Sequence, residues 1–266
     1  MLNGFFYLIF FFMTLKFKDV IFTDNASQNL NIIISFYQDV WSKYQTYYYN
    51  DIALYEIFRN KNNNFHDFCK ISILNNFYSA GMNNIQIYEF VDNLSKLDLA
   101  NVGITKYCGI KNDGSKYCSH LLSLESKFLH WSKELSGDKS VPIYDNNVIN
   151  ELKIAKKLYK INHNNDLFSG LDSHNKTEFS IFILKINLYI TKYLRLDNPE
   201  DRIPLEIDNL HKKVSIYRLV DKFLWLNNKF RVLNQKIISK KPLNENDNKL
   251  DQLSNNYNVW YSKIIS

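Results

Sequence analysis

A lysine and an aspartate in neighbouring helical segments are the residues of this chain best placed to do chemistry. Lys127 lies in the run Ser115 to Ser136, where Tyr117, Leu121, Leu124, Phe128, Trp131 and Leu135 recur at steps of three and four, which makes one apolar helical face. It falls three residues after Leu124 and four before Trp131, so it projects from the edge of that face, where an ammonium sheds part of its water. Desolvation favours the neutral amine, which is the nucleophilic form. Asp145 follows Val141-Pro142-Ile143-Tyr144 and precedes a second apolar-periodic run. Pro142 keeps Val141 out of α geometry, and Asp145 takes the place of an N-cap whose carboxylate accepts the first free amides of the following helix. On residue type alone, a solvated edge lysine and an aspartate that only caps a helix remain open readings of the two.

Cys108, Cys118 and His120 are the other reactive types in proximity. Their Cys-x9-Cys-x-His spacing lacks a fourth donor at a familiar distance, so they read as ordinary thiols in a loop and a helix start. No metal and no cofactor is indicated. With Cys69 the cysteines number three; an odd count without a disulfide framework favours a reducing compartment, and a cytoplasmic location is expected. The start of the chain points elsewhere. Leu2 to Leu15 holds no charge and has the length of a signal-peptide core. No Lys or Arg precedes it, however, Lys16 and Lys18 follow, and no small-x-small cleavage site is close. The run is also shorter than the roughly 20 apolar residues of a membrane span. Membrane association or export through residues 1–15 is the alternative to a buried N-terminal element or a start at Met13.

These side chains need helices to position them. Seven Gly, four Pro and a 45% hydrophobic share exclude collagen-like and disordered chains and predict a mainly α fold. Helices are expected over Asn29–Tyr44, Phe65–Tyr78, Ile85–Lys96, Ser115–Ser136, Asn146–Lys160, Glu178–Tyr193 and Leu205–Leu226. Three spans follow: an apolar segment 1–22, a helical domain 23–241 and a polar tail 242–266. The net charge is +6 (33 − 27), and Leu205 to Lys241 alone carries +6 (9 − 3). There Lys212, Lys213, Arg218 and Lys222 alternate with Tyr217, Phe223 and Trp225, either as a phosphate-tracking face with aromatic platforms or as an amphipathic helix with lysines in water.

The stretch Ser123 to Val148 (SLESKFLHWSKELSGDKSVPIYDNNV), with LNNFYSAGMNN at Leu74 to Asn84 and DKFLW at Asp221 to Trp225, resembles bacterial proteins of the 8-oxoguanine DNA glycosylase fold, within the helix-hairpin-helix glycosylase superfamily. The resemblance covers roughly Cys69 to Leu226. It implies a two-lobed helical domain that binds damaged or single-stranded DNA and excises a base, cutting the abasic site as a lyase. Lys127 would be the nucleophile and Asp145 its helper, with Tyr144, His130 and Trp131 as candidates for lining the base pocket; on residue type alone, Trp131 also reads as core and His130 as a partly buried, satisfied histidine. The family's Gly-x-Gly hairpin turn is degenerate here, its places taken by Ser123 and Glu125, and Glu125 would set a negative charge against phosphate. The alternative is a catalytically inactive helical module binding nucleic acid or protein in genome maintenance or phage defence.

Overall fold

The computed structural model describes residues 17–44, 54, 57–58, 64–77, 82–110, 113–136, 140–171, 177–199, 201–207 and 211–266. The fold is mainly helical. In chain order come α1 (Ala26–Phe36), continued by a wider π turn (Tyr37–Trp41), α2 (Asn64–Phe77), α3 (Asn84–Asn93), a hairpin of β1 (Lys106–Ile110) and β2 (Lys116–His120), then α4 (Leu122–Ser136) and α5 (Asn146–His163). They are followed by α6 (Glu178–Leu188) with a π turn (Tyr189–Tyr193), a second hairpin of β3 (Arg202–Ile207) and β4 (His211–Ser215), α7 (Ile216–Ile238), α8 (Glu245–Gln252) and α9 (Ser254–Ile265).

Buried side chains form two hydrophobic clusters with α4 between them. The larger gathers Phe36, Tyr189, Leu219, Phe230 and Trp260 around α7 and takes Leu129 from α4. The smaller joins Ile71, Ile87, Phe90 and Tyr107 to Leu124 and Trp131 of α4. The expected stripe is real over Leu121, Leu124, Phe128 and Trp131; Tyr117 lies in β2 instead, and the Leu135 side chain lies outside the described residues. Because α4 is covered on a second side too, its interior is wider than one stripe.

Four sequence expectations need correction. The helix expected from Ser115 begins at Leu122, since residues 116–120 pair with β1 in an antiparallel hairpin. In that register Cys108 lies opposite Cys118, and the two form a disulfide, so they are neither ordinary thiols nor metal ligands; Cys69 is the free cysteine. Leu205 to Ser215, expected to open a helix, belongs to the β3–β4 hairpin, and α7 starts only at Ile216, capped by the Ser215 hydroxyl. The expected tail 242–266 folds into α8 and α9, placing Tyr257 and Trp260 in the larger cluster.

Residues 17–22 also pack on that cluster, with Phe17 stacked on Tyr257 and Asp19 paired with Arg231 at 2.6 Å. The apolar run 1–15 lies outside the described residues. Among the described residues no helix is long and apolar enough to cross a membrane.

Candidate active site

Lys127 sits one turn into α4, and its position on the helix edge buries the stem while the amine meets three elements. Its Nζ donates to Ser123 Oγ at 2.7 Å, one turn back on the same helix, and lies 3.7 Å from Asp145 Oδ2. The Lys127 side chain is 8% exposed and that of Asp145 17%. Burial holds the Lys127 ammonium below the ordinary lysine value; Asp145 and Asp221 push back up, and Lys222 adds a further downward push.

Asp145 divides its carboxylate between two tasks. Oδ1 accepts from the backbone N–H of Asn147 at 2.8 Å as the cap of α5, and Oδ2 faces the lysine. The turn that delivers it is clamped to α4. Ser126, fully buried, accepts the Tyr144 N–H at 3.0 Å through its hydroxyl and donates to the Ser123 carbonyl at 2.9 Å. His130 Nδ1 meets the Val141 carbonyl at 2.6 Å. Helix α5 is fixed in turn on α7, where Glu151 accepts from Arg231 at 2.8 Å and from Asn228 at 3.3 Å.

The Lys127 side chain opens onto a hollow of about 420 Å³ bounded by His120, Leu121, Ser123, Tyr144 and Glu178, within the size range of small-molecule clefts. Asp145 is not part of this wall and reaches the hollow only through the amine. The Tyr144 hydroxyl donates to Glu178, and burial together with that bond pushes its pKa up to about 12.

The other predicted site residues divide. Tyr144 lines the hollow. His130 and Trp131 are both fully buried, His130 bracing Val141 and Trp131 under the Arg218 guanidinium at 4.7 Å. Neither offers a face to a base, because α4 is covered where they project.

Arg218 and Lys222 are 2% and 7% exposed and do not belong to an open basic face. Lys222 lies over Trp41 at 4.6 Å and pairs with Asp221 at 3.3 Å. Lys213 is exposed, and the Lys212 side chain lies outside the described residues.

Glu125 is another correction. It points inward with 0% exposure, its carboxylate accepting from Tyr107 Oη at 2.6 Å and from the Gly103 N–H at 2.5 Å. Burial raises its pKa. It therefore sets no charge against a bound phosphate and instead ties α4 to the turn before β1.

Sequence reasoning missed Ser123, Ser126 and Asp221 as neighbours of the pair. The Ser123–Lys127 contact was available from the four-residue spacing on a helix; the other two depend on tertiary packing. Among the described residues there is no cluster of His, Cys, Asp and Glu suited to hold a metal. Comparison with protein-family models, with curated proteins and with solved structures finds no match for this chain.

Proposed function

We propose that this chain is a DNA-binding protein of the two-lobed glycosylase type, a base-excision glycosylase and abasic-site lyase with Lys127 as nucleophile and Asp145 as helper. The observation that supports this most is the desolvated Lys127 amine, held between the Ser123 hydroxyl and the Asp145 carboxylate at the edge of a hollow of about 420 Å³. An amine in that setting gives up a proton more readily than one in water. A nucleotide swung out of the helix stack would enter the hollow beside Tyr144.

Neutral Nζ then bonds to C1′ as the C1′–N glycosidic bond breaks and its electron pair leaves with the base. Asp145 accepts the proton that the attached nitrogen sheds. The sugar ring opens, O4′ gains a proton, and a Schiff base joins the lysine to C1′.

Borohydride reduces a Schiff base to a stable secondary amine, so incubation with abasic DNA and borohydride should leave a covalent protein–DNA adduct that Lys127→Ala abolishes. A second reading has its own support. The 3.7 Å pairing of two largely buried side chains also suits a structural ion pair in a silent binding module, and DNA affinity without any adduct would favour that module.

A further inference from the structure

A second and larger hollow, about 1010 Å³, adjoins the first and shares Tyr144 and Glu178 with it. It runs between α5 and α6. Lys153, Lys156, Lys157 and Lys160 edge it from α5 and Lys185 from α6, with Glu178 as the one carboxylate among the described residues of its wall. Glu178 is engaged by the Tyr144 hydroxyl, and Lys156 is paired with Asp166 at 3.0 Å. The floor is apolar, formed by Leu152, Ile181 and Phe182, with Phe168 and Tyr144 beside them.

We infer that this groove binds the single-stranded nucleic acid flanking the nucleotide held at Lys127, an inference that rests on the glycosylase reading. Charge multiplicity selects the ligand class. Lys153 and Lys160 are separated by two helical turns, about 10 Å along the axis, and a rim of ammoniums spread over that length matches a ligand whose charge repeats along its length. An amphiphile has only one headgroup to offer it. The apolar and aromatic floor selects the strand state, because a duplex hides its base faces in its own stack, whereas a single strand lays them on rings such as Phe168 and Tyr144 while its phosphates meet the lysines. Groove and hollow adjoin at Tyr144 and Glu178, so a strand seated in the groove leads to the nucleotide at Lys127.

The test is fluorescence anisotropy of the full chain with a labelled single-stranded oligonucleotide, and with its duplex, over a salt series. The triple variant Lys153→Gln, Lys157→Gln, Lys160→Gln should weaken single-strand binding more than tenfold. It should also flatten the slope of log affinity against log salt by about 2, three phosphate contacts at roughly 0.7 each. Lys240→Gln with Lys241→Gln, both exposed and outside the groove's lining, should change binding less than threefold. All substituted lysines are exposed, so the melting temperature should hold.

Equal losses in the two variants, equal losses for duplex and single strand, or a groove that takes up dodecanoate while oligonucleotide affinity is unchanged would each overturn the inference. The glycosylase reading fails separately. If the groove variant loses strand affinity while wild type gives no borohydride adduct, the groove stands and Lys127 catalysis falls; a persistent adduct with unaltered strand affinity leaves Lys127 catalysis standing and removes the groove.

Discussion

Asp145→Asn removes a charge and almost nothing else. Asparagine caps helices as well as aspartate does, so the bond from the Asn147 N–H to Oδ1 survives, and the loss falls on the Oδ2 side, 3.7 Å from Lys127 Nζ. Two unit charges at that distance interact by about 4 kcal/mol at an effective dielectric of 20, and removing one member of a buried pair costs roughly 3–5 kcal/mol. Asp221 also draws on the same amine, and the lysine can shed its proton, so a destabilisation of about 1–3 kcal/mol near pH 7 is expected.

The pH dependence follows from the direction of the Lys127 shift. Its folded pKa lies below the ordinary 10.5, so between those two values the unfolded chain binds more protons and stability rises with pH. Below the folded pKa the amine is charged in both states and its burial penalty is at full strength. Losing Asp145 lowers the folded pKa further and widens the window toward neutrality, so the gap between variant and wild type should shrink as pH rises toward 10.5. Urea unfolding at pH 6, 8 and 10 measures this. A gap that stays constant, or grows, would refute the assigned coupling. In activity, excision from base-containing DNA should fall at least about 100-fold, as for loss of a positioned proton acceptor, while Schiff-base trapping on a preformed abasic site persists with its pH optimum moved down.

Further expectations come from the supporting contacts. Breaking Cys108–Cys118, which are ten residues apart, by a double change to Ser should cost about 2–3 kcal/mol, read as a lower urea midpoint; the unreduced, denatured wild-type chain should titrate one thiol, Cys69. Glu125→Gln keeps one carbonyl oxygen, for the Gly103 N–H, and turns its NH2 to the Tyr107 hydroxyl, which then accepts instead of donating; the change should be near neutral at pH 7. Because burial raises the wild-type pKa above 4.5, wild type should gain stability relative to this variant on acidification through that window toward pH 4.5, as monitored by thermal melts. Trp131→Ala empties a fully buried site in the smaller cluster and should cost about 3–5 kcal/mol in chemical denaturation, an effect on the scaffold rather than on ligand contacts.

What the sequence disclosed depended on period. The stripe through Leu121, Leu124, Phe128 and Trp131 and the Pro142–Asp145 stop and cap are local patterns, and they located both members of the pair. The first hairpin escaped because Tyr117 happens to fit the phase of the helix that follows, which hid the strand signal on either side of Asp113-Gly114, where Gly114 takes a positive φ. Burial on two sides could not be read from one stripe. That is why a ligand role stayed open in the sequence for His130, Trp131, Arg218 and Lys222, all of which are packed. Basic residues on an amphipathic helix read as exposed by default, yet α7 runs through the core and its cations are matched by Asp221 and by the rings of Trp41 and Trp131. The lysine row of α5 drew no reading from the sequence, because its meaning depends on α6 set opposite.

Peptide mapping by mass spectrometry of the borohydride-reduced complex with abasic single-stranded DNA tests the central claim most directly. Lys127 catalysis predicts the sugar mass on the peptide carrying that residue, with the yield rising as pH climbs through the lowered pKa of its amine. A modification on Lys222, on the exposed α5 lysines or on the N-terminal amine, or an unmodified chain at every pH, would contradict it.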